Sequence, residues 1–207
     1  MTRDYLFDIG KVILDFDFGI SAARLAPLSE VDGTEILPGM RSLMIGLETG
    51  ALSTQQFAAQ GMELIGFSGK ADDFVHAFQD VFTVNAPMVN LIDELADAGS
   101  RLFLLSNTSD LHVTWFIPRY SVFQRFHGAA YSHEAGCMKP DPGIFRYAIE
   151  RFGFAPEEVL FIDDSPANVA AAEELGFTGL VYDLRDHAGF LDRFRSLDSR
   201  RPRCGSC

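Results

Sequence analysis

The sequence holds little of what a disulfide scaffold, a membrane span or a nucleic-acid binder requires. Its 207 residues include only three cysteines, too few for a disulfide framework. Two of the three, Cys204 and Cys207, form "CGSC" in a polar terminal tail and are assigned no role. Basic residues are outnumbered, 17 against 29 acidic, for a net charge of -12. No Lys/Arg run interleaves with aromatics, so nucleic acid is not an expected partner. No apolar run approaches the roughly 20 residues of a transmembrane helix. The N-terminus has no basic region followed by an apolar stretch and a small-residue cleavage site. These absences predict a cytoplasmic protein that does not engage membranes. The five histidines, at 76, 112, 127, 133 and 187, are too scattered for a zinc set.

What remains is an ordinary globular composition, 47% hydrophobic and 22% charged, long enough to bury a substantial core. Short apolar runs at residues 5–10, 101–107, 128–133, 159–164 and 178–183 read as buried strands. Helical patterns lie between the later ones: "PMVNLIDELADAG", "PGIFRYAIERFG" and "PANVAAAEELG", each stopped by glycine. The alternation predicts an α/β fold with a doubly wound parallel sheet. Residues 15–85 are too long for a simple crossover. Their content is helical, with Ser53 and Gln56 spaced as a capping box. The expected organisation is a core of residues 1–14 and 86–197, a small helical cap of residues 15–85 inserted after the first strand, and a flexible tail of residues 198–207.

In an open parallel sheet, ligands bind beyond the carboxyl ends of the strands, where strand order reverses. The polar residues expected there are Asp8, the run Ser106, Asn107 and Thr108, and the pair Asp163 and Asp164. Lys139 stands at a loop-to-helix junction before Pro140. Each piece alone reads as a turn or helix cap. Together, three carboxylates, hydroxyls, an amide and a lysine suit a cation and a phosphate. Beside Mg²⁺, a carboxylate such as Asp8 can attack a phosphoryl group. Asp8, Asp164 and the Gly10 carbonyl are the expected Mg²⁺ ligands, with Asp163 one step behind them. Ser106 and the N–H groups after it would bind the phosphoryl oxygens, and Lys139 would neutralise charge. In the cap, Glu48, Thr49 and Gly50 are expected to face the site, with Glu48 joining Asn107 and Thr108 in substrate binding.

The motifs "FDIGKV", "LLSNTS", "GCMKPDPGIF" and "FIDDSPANV", in that order, resemble those of the haloacid dehalogenase (HAD) superfamily of aspartyl-nucleophile hydrolases. Through "LSNTSDLHVTWF" and "ETGALS" the chain resembles bacterial phosphatases of the α-D-glucose-1-phosphate phosphatase type. The resemblance implies Asp8 as nucleophile, Ser106 and Asn107 at the phosphoryl, Lys139 as the lysine, and Mg²⁺ on Asp8 and Asp164. The expected activity is hydrolysis of a small phosphorylated metabolite by a monomer or homodimer.

One position departs from the pattern. Most phosphatases of this family carry a second Asp two residues after the nucleophile, which protonates the leaving oxygen, and here that residue is Gly10. General acid-base help is commonly worth about 10² to 10⁴ in rate. Asp15 or Asp17, in the linker into the cap, are candidate substitutes. The alternatives are a phospho-ligand-binding protein without catalysis, and a 2-haloacid dehalogenase, whose attack on carbon needs no metal.

Overall fold

The computed structural model describes residues 3–199. The Cys204 and Cys207 pair, and the expected tail from residue 200 on, lie outside the described residues.

The chain runs β1 (Asp4–Phe7), β2 (Leu14–Phe16), α1 (Gly19–Leu25), α2 (Gly33–Glu48), α3 (Thr54–Ile65), α4 (Ala71–Gln79), β3 (Phe82–Val84), α5 (Ala86–Asp97), β4 (Arg101–Ser106), α6 (Asp110–Phe116), β5 (Gly128–Tyr131), α7 (Ser132–Ala135), α8 (Pro142–Phe152), β6 (Val159–Asp163), α9 (Pro166–Glu173), β7 (Thr178–Val181) and α10 (His187–Ser199). Five strands form a parallel sheet in the order β5-β4-β1-β6-β7. The first strand is therefore central, and the chain departs from it first to one side and then to the other.

The strands read as unbroken apolar runs because both faces of the sheet are covered. Side chains alternate between faces. Tyr5 and Phe7 pack with Leu104, Ile162 and the α5 and α10 residues Met88, Ile92 and Phe190. Leu6 points the other way, to Phe161 and the α8 and α9 residues Ile144, Phe145 and Val169. Helices α1 to α4 close a third cluster of their own around Met40, Phe57, Phe74 and Phe78, which reaches onto Leu111 of α6.

The local chemistry of the insert follows its caps. Asp32 accepts from Thr34 N at 2.9 Å to start α2. Ser53 and Gln56 form the expected reciprocal capping box on α3, and Gly66 ends that helix in the left-handed region. The sequence places a helix near "MRSLMIGLE", residues 40–48; α2 starts earlier, at Gly33, and runs through Pro38. A proline there normally signals a break.

Further elements differ from expectation. Strand β1 stops at Phe7, short of the expected residue 10. Strand β5 stops at Tyr131, and Ser132 opens α7. Strand β7 stops at Val181. Helix α10 continues through Ser199, two residues into the segment expected as tail. The links into and out of the insert also pair with each other, Leu14↔Val84 and Phe16↔Phe82, as an antiparallel ribbon. Asn85 fastens its return: its N–H donates to Ile13 O at 2.9 Å, and Nδ2 donates to Val12 O at 2.6 Å and Tyr182 Oη at 2.8 Å. Among the described residues, no helix is long and apolar enough to cross a membrane.

Phe74 is fully buried, with ring centroids 5.9, 5.6 and 5.4 Å from Phe57, Phe67 and Phe78. Phe74→Ala is expected to cost about 3–5 kcal/mol in urea unfolding. Leu64→Ala, at a side chain 50% exposed on the same insert, is expected to stay within about 0.5 kcal/mol.

Candidate active site

Asp8 follows the central strand, at the point where strand order reverses. Its N–H donates to Ile162 O at 2.9 Å, which holds the turn against β6. The carboxylate faces Lys139, whose Nζ is 2.9 Å from Asp8 Oδ1. Asp8 Oδ1 is buried in that ion pair and makes no hydrogen bond. Lys139 Nζ also donates to Leu105 O at 2.8 Å and to Asp163 Oδ2 at 2.6 Å.

The remaining oxygen of Asp163 is also committed. Oδ1 accepts from Ser165 N at 2.8 Å and Asn168 Nδ2 at 2.9 Å. Asp8, Asp163 and Asp164 each present an oxygen, all within 4.8 Å of one another. Burial, and then the charge of Asp163, push the Asp8 carboxyl up to about 6 although Lys139 opposes them. Burial and Asp163 likewise raise Asp164. Burial alone would lower the Lys139 ammonium, but Asp8 and Asp163 more than offset it and raise its pKa. Crowded carboxylates, one with an oxygen lacking a hydrogen bond, are a donor set that suits a hard divalent cation. Asp8 and Asp164 could hold it, because both oxygens of Asp163 are already bonded within the protein.

The loop after β4 lies on the opposite side of Asp8. Ser106 is buried and its hydroxyl is among the groups that lower the Asp8 pKa. The Asn107 side chain clasps the backbone of Lys139: Nδ2 donates to Lys139 O at 2.9 Å, and Oδ1 accepts from Lys139 N at 2.7 Å. Its amide is therefore a brace for the lysine. Thr108 N donates to Ser132 Oγ at 2.9 Å. The Ser132 hydroxyl faces two carbonyls, Glu48 O at 2.6 Å and Thr108 O at 3.0 Å.

Ser132 thus ties the end of α2 to the sheet. Gly50 completes the contact, since a Cβ on it would stand 2.3 Å from His133 O and its φ is +72°. Ser132 was read from the sequence as a strand residue, and no local signal marks it as the tie. Of residues 48–50, expected to face the site, Thr49 turns its hydroxyl to Ile45 O and Gly50 rests on His133. Glu48 lines a small cleft with Gly10, Phe16, Ser106, Asn107 and Thr108. Burial, and secondarily the charge of Asp8, push its carboxyl up to about 7.

Position 10 has its own geometry. A Cβ on Gly10 would meet Phe16 Cε1 at 2.9 Å, so an aromatic ring occupies the space beside it. Neither linker aspartate lines the cleft. Asp15 accepts from Lys11 Nζ and, at 2.8 Å, from Phe16 N, and the Lys11 bond holds its carboxyl below the usual range. Asp17 is exposed and accepts from Gly19 N at 2.7 Å at the start of α1. His112, which sequence reasoning set aside, also lines the cleft. Its Nε2 lies 3.2 Å from Phe78 O, and burial pushes its pKa down to about 4.

The cleft holds only about 50 Å³, room for a few waters and far below the several hundred Å³ of a usual small-molecule pocket. A roomier groove of about 540 Å³ lies between α5 and α10, lined by Leu91, His187 and Leu191 and by none of the carboxylate cluster.

Comparison with known proteins matches residues 6–176 to the haloacid dehalogenase-like hydrolases. The chain is 29% identical to a D-ribitol-5-phosphate phosphatase from Bacteroides thetaiotaomicron, over 86% of this chain and 90% of that one. It is similar to the structure of a predicted HAD-like family hydrolase from Porphyromonas gingivalis, with 31% identity, a TM-score of 0.80 and coverage of 98% and 100%. A HAD family enzyme from Bacteroides thetaiotaomicron, in complex with magnesium and inorganic phosphate, shares the fold at 24% identity and a TM-score of 0.79, over 89% and 95%.

The raised carboxyls set a pH dependence. Asp8 titrates near 6 when folded against about 3.8 otherwise, so its folded form binds protons more tightly. The stability it contributes is full below the unfolded value and is lost as pH rises through the folded one. Without metal, the stability advantage of wild type over Asp8→Asn in urea unfolding should shrink as pH rises from about 4 to about 7.5, because the asparagine does not ionise in the buried site. An advantage that grows with pH over that range would contradict this reading of the site.

Proposed function

The chain belongs to the haloacid dehalogenase-like hydrolase family, and from that premise we propose that it is a Mg²⁺-dependent phosphatase acting on a small phosphate monoester through attack by Asp8. The observation that carries the proposal is the cluster of buried Asp8, Lys139 and Asp163 with half-buried Asp164 at the switch point of the sheet. The phosphatase from Bacteroides thetaiotaomicron and the magnesium and phosphate complex of the fold neighbour support it.

In this reading Asp8 and Asp164 hold the cation together with the Gly10 carbonyl, and bound Mg²⁺ supplies positive charge that draws phosphoryl oxygens toward Asp8. The chain's own residues do the rest. Lys139 keeps Asp8 ionised and oriented while neutralising charge on the phosphoryl group. Asp163 fixes Lys139, and Asn107 fixes its backbone. The Ser106 hydroxyl and the start of the following loop, with Thr108, bind the transferring group. Asp8 forms an aspartyl phosphate, which water then hydrolyses. Residues 15–85 act as a cap that excludes water and meets the non-phosphate part of the substrate. The small volume of the cleft requires that cap to swing out to admit a substrate.

The substrate class is a phosphorylated polyol or sugar of modest size, in keeping with the D-ribitol-5-phosphate phosphatase relative and with the resemblance to glucose-1-phosphate phosphatases. The ring of Phe16 against Gly10 favours a second reading, a fold that binds phospho-ligands without turning them over. Retention of Asp8, Lys139 and Asp164 together speaks for catalysis.

Phosphate release from a panel that includes ribitol-5-phosphate and glucose-1-phosphate tests the reading. Turnover should require Mg²⁺, disappear with EDTA, and fall at least about 10³-fold in Asp8→Asn and Asp164→Asn. Tight phosphate binding with no release from any ester would favour the second reading. Gly10→Asp should lower turnover further, because its side chain must displace Phe16.

A further inference from the structure

The proposed reaction lacks a proton source at position 10, and the space beside Gly10 is taken by Phe16, with Cε1 2.9 Å from where a Cβ would stand. The linker aspartates are committed to Lys11 and to the start of α1. Most of the other side chains around the cleft are hydrocarbon: Ile9, Phe16, Phe18, Phe82 and Phe116. His112 is held against Phe78 O.

One carboxyl group remains. Glu48, the last residue of α2, lines the same small cleft as Gly10 and Ser106. Its main chain is fixed by the Ser132 hydroxyl at 2.6 Å, and the following loop is seated on His133 through Gly50. Its carboxylate has no hydrogen bond or ion pair among the described residues. A structural glutamate at a helix end would be expected to pair or to reach solvent. This one pairs with nothing among the described residues and is only partly exposed, and its place beside the cleft is set by contacts to its own backbone.

We propose that Glu48 is a catalytic residue, the proton donor to the leaving oxygen and then the base for water, supplied by the insert in place of the side chain missing at position 10. The inference rests on the phosphatase reading. In the first step Asp8 bonds to phosphorus, the ester P–O bond breaks, and the Glu48 proton goes to the departing alkoxide, giving the alcohol and a Glu48 carboxylate. In the second, water bonds to phosphorus and gives its proton to Glu48, and the bond to Asp8 breaks, releasing hydrogen phosphate and restoring both residues. Because Glu48 rides on the insert, the acid reaches the leaving group only when Ser132 and Gly50 are docked.

The test uses the full chain with Mg²⁺ and two esters of one series, para-nitrophenyl phosphate, whose leaving group needs no proton, and an alkyl phosphate, whose leaving group does. Glu48→Gln should lose about 10²–10⁴-fold in kcat on the alkyl ester and less than about tenfold on the aryl ester. Glu48→Asp, which keeps the carboxyl, should show the same selectivity with a smaller loss, and it decides the matter if the glutamine variant does not fold. Equal losses on both esters, or no loss on either, would overturn the role of Glu48 while leaving the nucleophile intact. If wild type hydrolyses neither ester, or Asp8→Asn retains the activity, the phosphatase reading itself fails and this inference falls with it.

Discussion

A single buried ammonium holds the site together. Lys139 Nζ meets Leu105 O, Asp163 Oδ2 and Asp8 Oδ1 within 2.9 Å, and its side chain is 1% exposed. Those three acceptors belong to β4, to β6 and to the turn after β1, so one charge binds the ends of the three central strands. Removing one partner of such a buried pair typically costs about 3–5 kcal/mol, because the other charge is left uncompensated. The surroundings are arranged to keep the lysine in place. Asn107 brackets its backbone, and Ser165 and Asn168 saturate the far oxygen of Asp163. Asp8 is not braced in that way: its Oδ1 is buried in the ion pair with Lys139 and makes no hydrogen bond.

The insert depends on the same frame from the other side. Its aromatic core is a cluster of its own that also takes in Leu111 of α6, and the β2–β3 ribbon and Asn85 anchor its two links. Ser132 and Gly50 decide where it lands. Both contacts fall on the backbone around Glu48, so the docked insert presents that side chain to the cleft whatever the carboxylate itself is doing. The glycine at position 10 and the ring of Phe16 belong together in this picture. The ring fills space that a second carboxylate would need, and it makes the wall of the cleft apolar, which raises the pKa of any carboxyl placed there.

Much of this was legible in the sequence. The strand ends carrying Asp8, Ser106 and Asp163 follow from apolar runs that stop in polar residues, and the parallel order places those ends together. The capping box at Ser53 and Gln56 is a local signal and was readable as such. The expectation that the loop of residues 48–50 faces the site rested on a helical cap closing over the strand ends. Other features carried no local signal. Pro38 masked the first turns of α2, and three-residue strands such as β2 and β3 show no periodicity. Ser132 acts only through partners distant in sequence, Glu48 at 84 positions and Thr108 at 24. The approach of Phe16 to Gly10 likewise exists only once β2 has folded back, so the sequence reported a missing aspartate and not the ring beside it.

The central claim is that Asp8 takes up the phosphoryl group, held in register by Lys139. The most direct measurement is mass spectrometry of enzyme quenched in acid during turnover of a reactive ester. The account predicts a mass gain of one phosphoryl group on the peptide containing Asp8, removed by mild base and absent from Lys139→Met. A phosphoryl group on Ser106 or another residue, or steady turnover with no modified Asp8 even when hydrolysis of the intermediate is slowed, would contradict it.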